Sequence, residues 1–202
     1  MPRLRHSFRA PAAPADVFAF LADPSRVASC LPGAALDPDA PRGRLAEGQE
    51  VGGTIAVQLG PVGTQFRSVV RVLELDDAAR RSVFGVRADD AKGNGSATAT
   101  IALAVAPEED GSRVDLDADV DVRGRVATFG SGMIERVSGR MIEKFGANLA
   151  AALTTGAPAA ADDAAPVARR RAGSLRANPA WPVLATGFAF ACGLLAGRLL
   201  FG

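Results

Sequence analysis

The chain has 202 residues, 48% of them hydrophobic, with 23 Lys and Arg against 22 Asp and Glu. A net charge of +1 excludes a nucleic-acid binder that works through bulk charge, and the length allows one domain plus short extras. Two cysteines, Cys30 and Cys192, and one histidine exclude a disulfide scaffold, a cysteine zinc site and a multi-histidine metal centre.

The N-terminus, "MPRLRHSFRAPAAPADVF", lacks the long apolar core and cleavage pattern of a secretory signal, so the domain is expected in the cytosol. In "LRHSF", Leu4, His6 and Phe8 alternate with polar residues, which predicts a strand with these three on its covered face. Pro14 and Asp16 suit a helix start, and Val17, Phe18, Phe20 and Leu21 give that helix an apolar face. Pro24 interrupts it, and a second short helix is expected to about Leu31, where "PG" stops it.

A long run of strands follows. "VGGTIAVQLG", "TQFRSVVRVLELD", "RSVFGVRADD" and "GSATATIALAVAPEEDGSRVDLDADVDVRGRV" all have strand character, divided by Gly- and Asp-rich turns, for about six strands after the helices. "EEDG" reads as a hairpin turn, and "GNGSA" at Gly93–Ala97 reads as a turn rather than a phosphate loop, because no helix follows it. In "VDLDADVDV", Val114, Leu116, Ala118, Val120 and Val122 share one face and four aspartates the other. Aspartates two apart on a strand stand about 7 Å from each other, too far to converge on calcium, so Asp115, Asp117, Asp119 and Asp121 form a solvated face.

The domain closes with "FGSGMIERVSGRMIEKFGANLAAAL". Met133, Ile134, Val137, Met141, Ile142, Phe145, Leu149 and Leu153 recur at three- and four-residue spacing, which predicts a long amphipathic helix. The order is that of an α+β domain in which a curved antiparallel sheet wraps around its last helix. Small inward residues leave a pocket between the two; Gly85, Ala88, Ala97, Ala99, Ala118 and Gly124 are the candidates.

Four stretches carry a resemblance: "DVFAFLADPSRVASCLPGA", "LGPVGTQFRSVVRV", "AKGNGSATATIALAV" and "VDVRGRVATFGSGMIERVSGRMIEKF". Over residues 1–153 the chain resembles the START-like superfamily of helix-grip folds, which includes polyketide cyclases and the birch-pollen allergens. Within it, these segments look like the carbon monoxide dehydrogenase CoxG family. The resemblance implies a helix-grip fold with two short helices and a ligand-binding cavity. It further implies an exchangeable quinone, menaquinone or ubiquinone, and a partner of the molybdenum hydroxylase type, such as carbon monoxide dehydrogenase, recruited to the membrane. In such a fold the sheet would line the pocket with His6, Phe8, Phe66, Val70 and Phe84, and with Ala97, Ala99, Ile101, Leu116, Ala118 and Val120. The entry segment and last helix would add Phe129, Met133, Val137, Met141 and Phe145. No catalytic or metal residue is expected.

His6 has three readings: a core histidine bonded to a neighbour, a donor to a ligand carbonyl, or a catalytic base. Cys30 reads as a buried structural thiol.

Residues 154–179, rich in Ala, Pro and Arg, read as a disordered linker with a reach of roughly 25–31 Å. Residues 180–202 read as a single transmembrane tail anchor with Arg198 as the one charge. Trp181 marks the near interface, and Arg169, Arg170, Arg171 and Arg176 hold the domain on the cytoplasmic side of the cell membrane. Gly193 and Gly197 have GxxxG spacing, which leaves a transmembrane-helix dimer open. Three functions fit: a quinone-binding adaptor, a ligand-free recruitment adaptor, or an enzyme of the cyclase or hydrolase kind.

Overall fold

The computed structural model describes residues 3–59 and 62–155. The linker, the tail anchor, Trp181, Cys192 and the GxxxG pair lie outside the described residues. Among the described residues, no helix is long and apolar enough to cross a membrane.

Strand β1 (Arg3–Ala10) leads into helices α1 (Pro14–Leu21) and α2 (Pro24–Cys30). Both helices start on a proline, whose missing N–H costs nothing there. Asp23 caps α2, accepting from the Ser25 N–H at 2.9 Å and the Arg26 N–H at 3.4 Å. Strands β2 (Ala34–Leu36), β3 (Glu50–Leu59), β4 (Val62–Asp76), β5 (Arg81–Asp90), β6 (Gly95–Glu108) and β7 (Gly111–Gly124) follow. A 3₁₀ turn over Arg125–Phe129 then leads into α3 (Ser131–Thr155). The expected order is met, with the 3₁₀ turn as an addition.

The strands form one antiparallel sheet in the order β1-β7-β6-β5-β4-β3-β2. A meander lays down β2 to β7, and β1 then pairs with β7 along its whole length. That pairing stacks inward residues into rows across the sheet. One row runs Phe8, Val114, Val105. The next runs His6, Leu116, Leu103, Ser82, and the one after it Leu4, Ala118, Ile101, Phe84, Val72. Beyond these come Val120, Ala99, Val86, Val70 and then Val122, Ala97, Ala88, Ser68.

Two of the small residues expected inside do not line it. Gly85 lies on the outer face, where a bulge between Val72 and Glu74 turns Leu73 outward to within 3.4 Å of the position its Cβ would take. Gly124 ends β7 with φ +76, and a Cβ there would meet the Asn94 carbonyl oxygen at 2.6 Å. It serves the backbone crossing into the 3₁₀ turn, a conformation that glycine adopts without steric cost.

Helix α3 meets the sheet mainly along β1, with a smaller contact at β3. Three glycines seven residues apart set this approach. A Cβ at Gly146 would stand 3.0 Å from Phe8, one at Gly139 would stand 3.6 Å from His6, and one at Gly132 would have nothing within 4 Å. The helix therefore presses on β1 near its C-terminal end and lifts away toward its N-terminal end.

Candidate ligand-binding interior

The lift of α3 divides the interior in two. At the closed end, Val17, Phe18, Phe20, Leu21, Cys30, Val105, Val114, Phe145, Leu149 and Ala152 pack into one buried cluster. Asn148 ties α3 to α2 there, its Nδ2 donating to the Cys30 carbonyl at 2.9 Å. The Cys30 side chain is fully buried, and that burial pushes its thiol pKa up. It is the structural thiol the sequence indicates.

At the other end the inward residues are apolar yet only half-buried. On the sheet these are Val70, Val86, Ala97, Ala99, Ile101, Val120 and Val122, and on the helix Met133, Ile134, Val137 and Met141. Inward apolar side chains in a filled core lose nearly all contact with water. Here they keep part of it, because the helix stands off the rows they form. The half-burial and the glycine distances together imply a wedge with apolar walls, narrow at Phe8 and Phe145 and wide toward the start of α3.

The eleven sheet residues expected to line a pocket all fall on the inner face. They do not all line its open part. Phe66, Phe84 and Ala118 are buried. Phe8 and Phe145 belong to the closed end, where their rings meet edge to face. The remaining sheet positions and Met133, Val137 and Met141 share the open half. The Phe129 side chain lies outside the description.

His6 stands where the wedge begins to open. Its Nε2 lies 3.4 Å from Ser138 Oγ on α3. Ser138 was not among the expected residues. The signal was present: it interrupts the apolar stripe of Ile134, Met141 and Phe145 with a hydroxyl. Other inward polar groups are already engaged. Ser112 donates to the Ala12 carbonyl at 2.6 Å and Ser68 to the Gly53 carbonyl at 3.4 Å. At the far end Thr64 donates to Asp90 at 2.5 Å, and the Asn94 N–H donates to the same carboxylate at 3.0 Å. The Thr64 bond leads in holding the Asp90 carboxyl below the usual carboxylate range, against the opposing effect of its desolvation.

Two further concavities lie elsewhere. One, of about 280 Å³, sits beside the Glu109–Asp110 turn and Arg9. The other, of about 610 Å³, lies on the outer face among Arg5, Ser7, Arg81, Asp115 and Asp117. The aspartate stripe there is paired with arginines: Asp117 with Arg3 at 2.6 Å, Asp115 with Arg113 at 3.1 Å and Asp121 with Arg123 at 2.9 Å. Among the described residues no cluster is arranged to hold a metal ion.

The family model for the carbon monoxide dehydrogenase component CoxG matches residues 7–154. No curated protein matches the sequence. Among solved structures, a conserved protein from Geobacillus kaustophilus superposes with a TM-score of 0.64 at 17% identity, covering 76% of this chain and 95% of that one. The AHSA1 protein from Silicibacter pomeroyi gives 0.55 at 16% identity, with 77% and 100% covered. A protein from Thermus thermophilus gives 0.51 at 16%, with 75% and 99% covered. At these identities the structural likeness speaks for the fold alone, a START-like helix grip.

Proposed function

The chain belongs to the carbon monoxide dehydrogenase CoxG family, and we propose that it is a carrier and adaptor rather than a catalyst. The domain takes a lipophilic quinone, menaquinone or ubiquinone, into the wedge between sheet and α3. It presents that quinone to a molybdenum hydroxylase of the carbon monoxide dehydrogenase type. Residues 180–202 anchor it in the cell membrane, and the basic linker lets the domain reach the lipid surface from the cytoplasmic side.

One observation carries this reading: a continuous set of inward apolar side chains, on the four strands β4 to β7 and one helix face, that remains half-open to solvent. Leaving apolar area wet forgoes about 25 cal/mol per Å² of stabilisation. A long apolar guest recovers it on binding, and methionines adapt to such a guest. The family gives the choice of quinone and of partner.

The polar groups argue against the enzyme reading. His6 faces a serine hydroxyl, and among the described residues no carboxylate hydrogen-bonds it to orient it as a general base. The test is extraction of bound lipid from the full chain purified from membranes, followed by titration with added quinone. Copurifying or saturably bound quinone supports the carrier. An empty protein that ignores quinone, yet still brings the hydroxylase to membranes, establishes the ligand-free adaptor instead.

A further inference from the structure

Resting on the carrier reading, the wedge also fixes which end of the guest goes in first. The Ser138 hydroxyl has one proton and gives it to the Glu135 carbonyl at 3.0 Å, as helical serines often do. Toward His6 its oxygen is left as an acceptor. With that proton committed, Ser138 Oγ can accept from His6 Nε2 in the charged ring or in the neutral tautomer that carries its proton there. At 3.4 Å this bond is long for a nitrogen donor, whose usual distance is about 2.9–3.0 Å. A better acceptor can take the N–H at little cost.

His6 is also placed to be reached. Gly139 lies against its ring, with 3.6 Å between a Cβ there and His6 Cε1, and the next glycine toward the wide end touches nothing. Ser112, Ser68 and Thr64 have given their protons to protein acceptors, and Ser82 is 2% exposed. His6 and Ser68, whose bond to the Gly53 carbonyl is also 3.4 Å, are both half-buried inward donors that are weakly held; of the two, His6 stands on the strand against which α3 packs, at the narrow part of the interior.

We propose that the guest enters head first, with a neutral carbonyl oxygen accepting from His6 Nε2–H at the narrow part of the wedge. Its apolar chain then trails past Met141, Val137 and Met133 toward the wide end. No charged side chain is needed for the head, so the class is a neutral lipid with a carbonyl or similar acceptor.

His6 is the chain's one histidine, so histidine-selective ¹⁵N labelling reports this ring alone. The full chain in lipid nanodiscs is titrated with a 2-alkyl-1,4-naphthoquinone and with the matching 2-alkylnaphthalene, which lacks both carbonyls. The quinone should shift the Nε2 resonance and bind several-fold more tightly than the hydrocarbon. His6→Leu should remove roughly a three- to tenfold preference, the scale of one hydrogen bond, while leaving hydrocarbon binding in place. His6→Gln, which keeps a donor, should restore part of it. Equal binding of both probes without an Nε2 shift overturns the head-first arrangement and leaves the carrier reading standing. Binding of neither probe overturns both.

Discussion

Phe8 and Phe145 meet edge to face, with ring centroids 5.7 Å apart and planes at 84°. The contact joins the first strand to the last helix and marks where the interior closes. Gly146, next to Phe145, makes room for it by bringing the α3 backbone against the Phe8 side chain.

Gly146→Val should therefore force the helix off β1 and cost about 1–3 kcal/mol, the scale of overpacking. Gly139→Ala should do the opposite. Its Cβ would meet His6 at an ordinary 3.6 Å, and replacing a mid-helix glycine by alanine gains up to about 1 kcal/mol. Urea midpoints of the two variants against the parent check the pair. Equal shifts in the same direction would contradict the tilted helix.

The two halves of the interior should answer differently to a change in side-chain volume. Ala99→Phe adds a ring where Ala99 sits half-buried between Val86 and Val120. It should abolish quinone uptake while shifting Tm by no more than a few degrees. Leu149→Ala removes a side chain with 0% exposure and should cost about 2–5 kcal/mol. Thermal unfolding with a parallel binding assay separates the effects.

Acid should weaken the fold through Asp90. Its carboxyl has a folded pKa below the ordinary value near 3.9. A depressed acid contributes stability that is fully present above the unfolded pKa and is lost as pH falls through the folded one. Asp117, lowered chiefly by its hydrogen bond from Arg3, adds in the same direction. Denaturant midpoints should drop as pH is taken below about 4. Asp90→Asn should flatten part of that slope, and an unchanged slope would remove Asp90 from the account.

Cys30 should be inert in the folded domain. Its burial raises the thiol pKa and shields the sulfur, and both suppress thiolate chemistry. A Cys192→Ser variant should take up no Ellman reagent at neutral pH until denaturant is added. Uptake in the folded protein at the rate of a free thiol would show the closed end to be loose.

Most of the architecture was legible because short-range patterns carry it. Alternation in "VDLDADVDV" and "LRHSF" sorted inner from outer residues correctly, since a strand's side chains have a period of two. The heptad-like apolar spacing of α3 gave that helix. Two things were hidden for physical reasons. The bulge at Leu73 turns that side chain outward to stand beside Gly85, which itself faces out because it alternates with the inward Phe84 and Val86, although its size suits a pocket. The angle of α3 depends on how closely each glycine meets a strand more than 130 residues earlier in the chain, and no local window records that. Ser138 was visible as a break in an apolar stripe, but its meaning required knowing that His6 lies opposite.

The spacing of Gly132, Gly139 and Gly146 carries one last consequence. Two of these positions rest on a strand and the third rests on nothing, so together they act as the pivot of a lever rather than as lining. A small change of fit at the pivot is magnified at the far end of the helix, some 20 Å away at 1.5 Å per residue. The width of the open end is thereby governed from residues at the closed one.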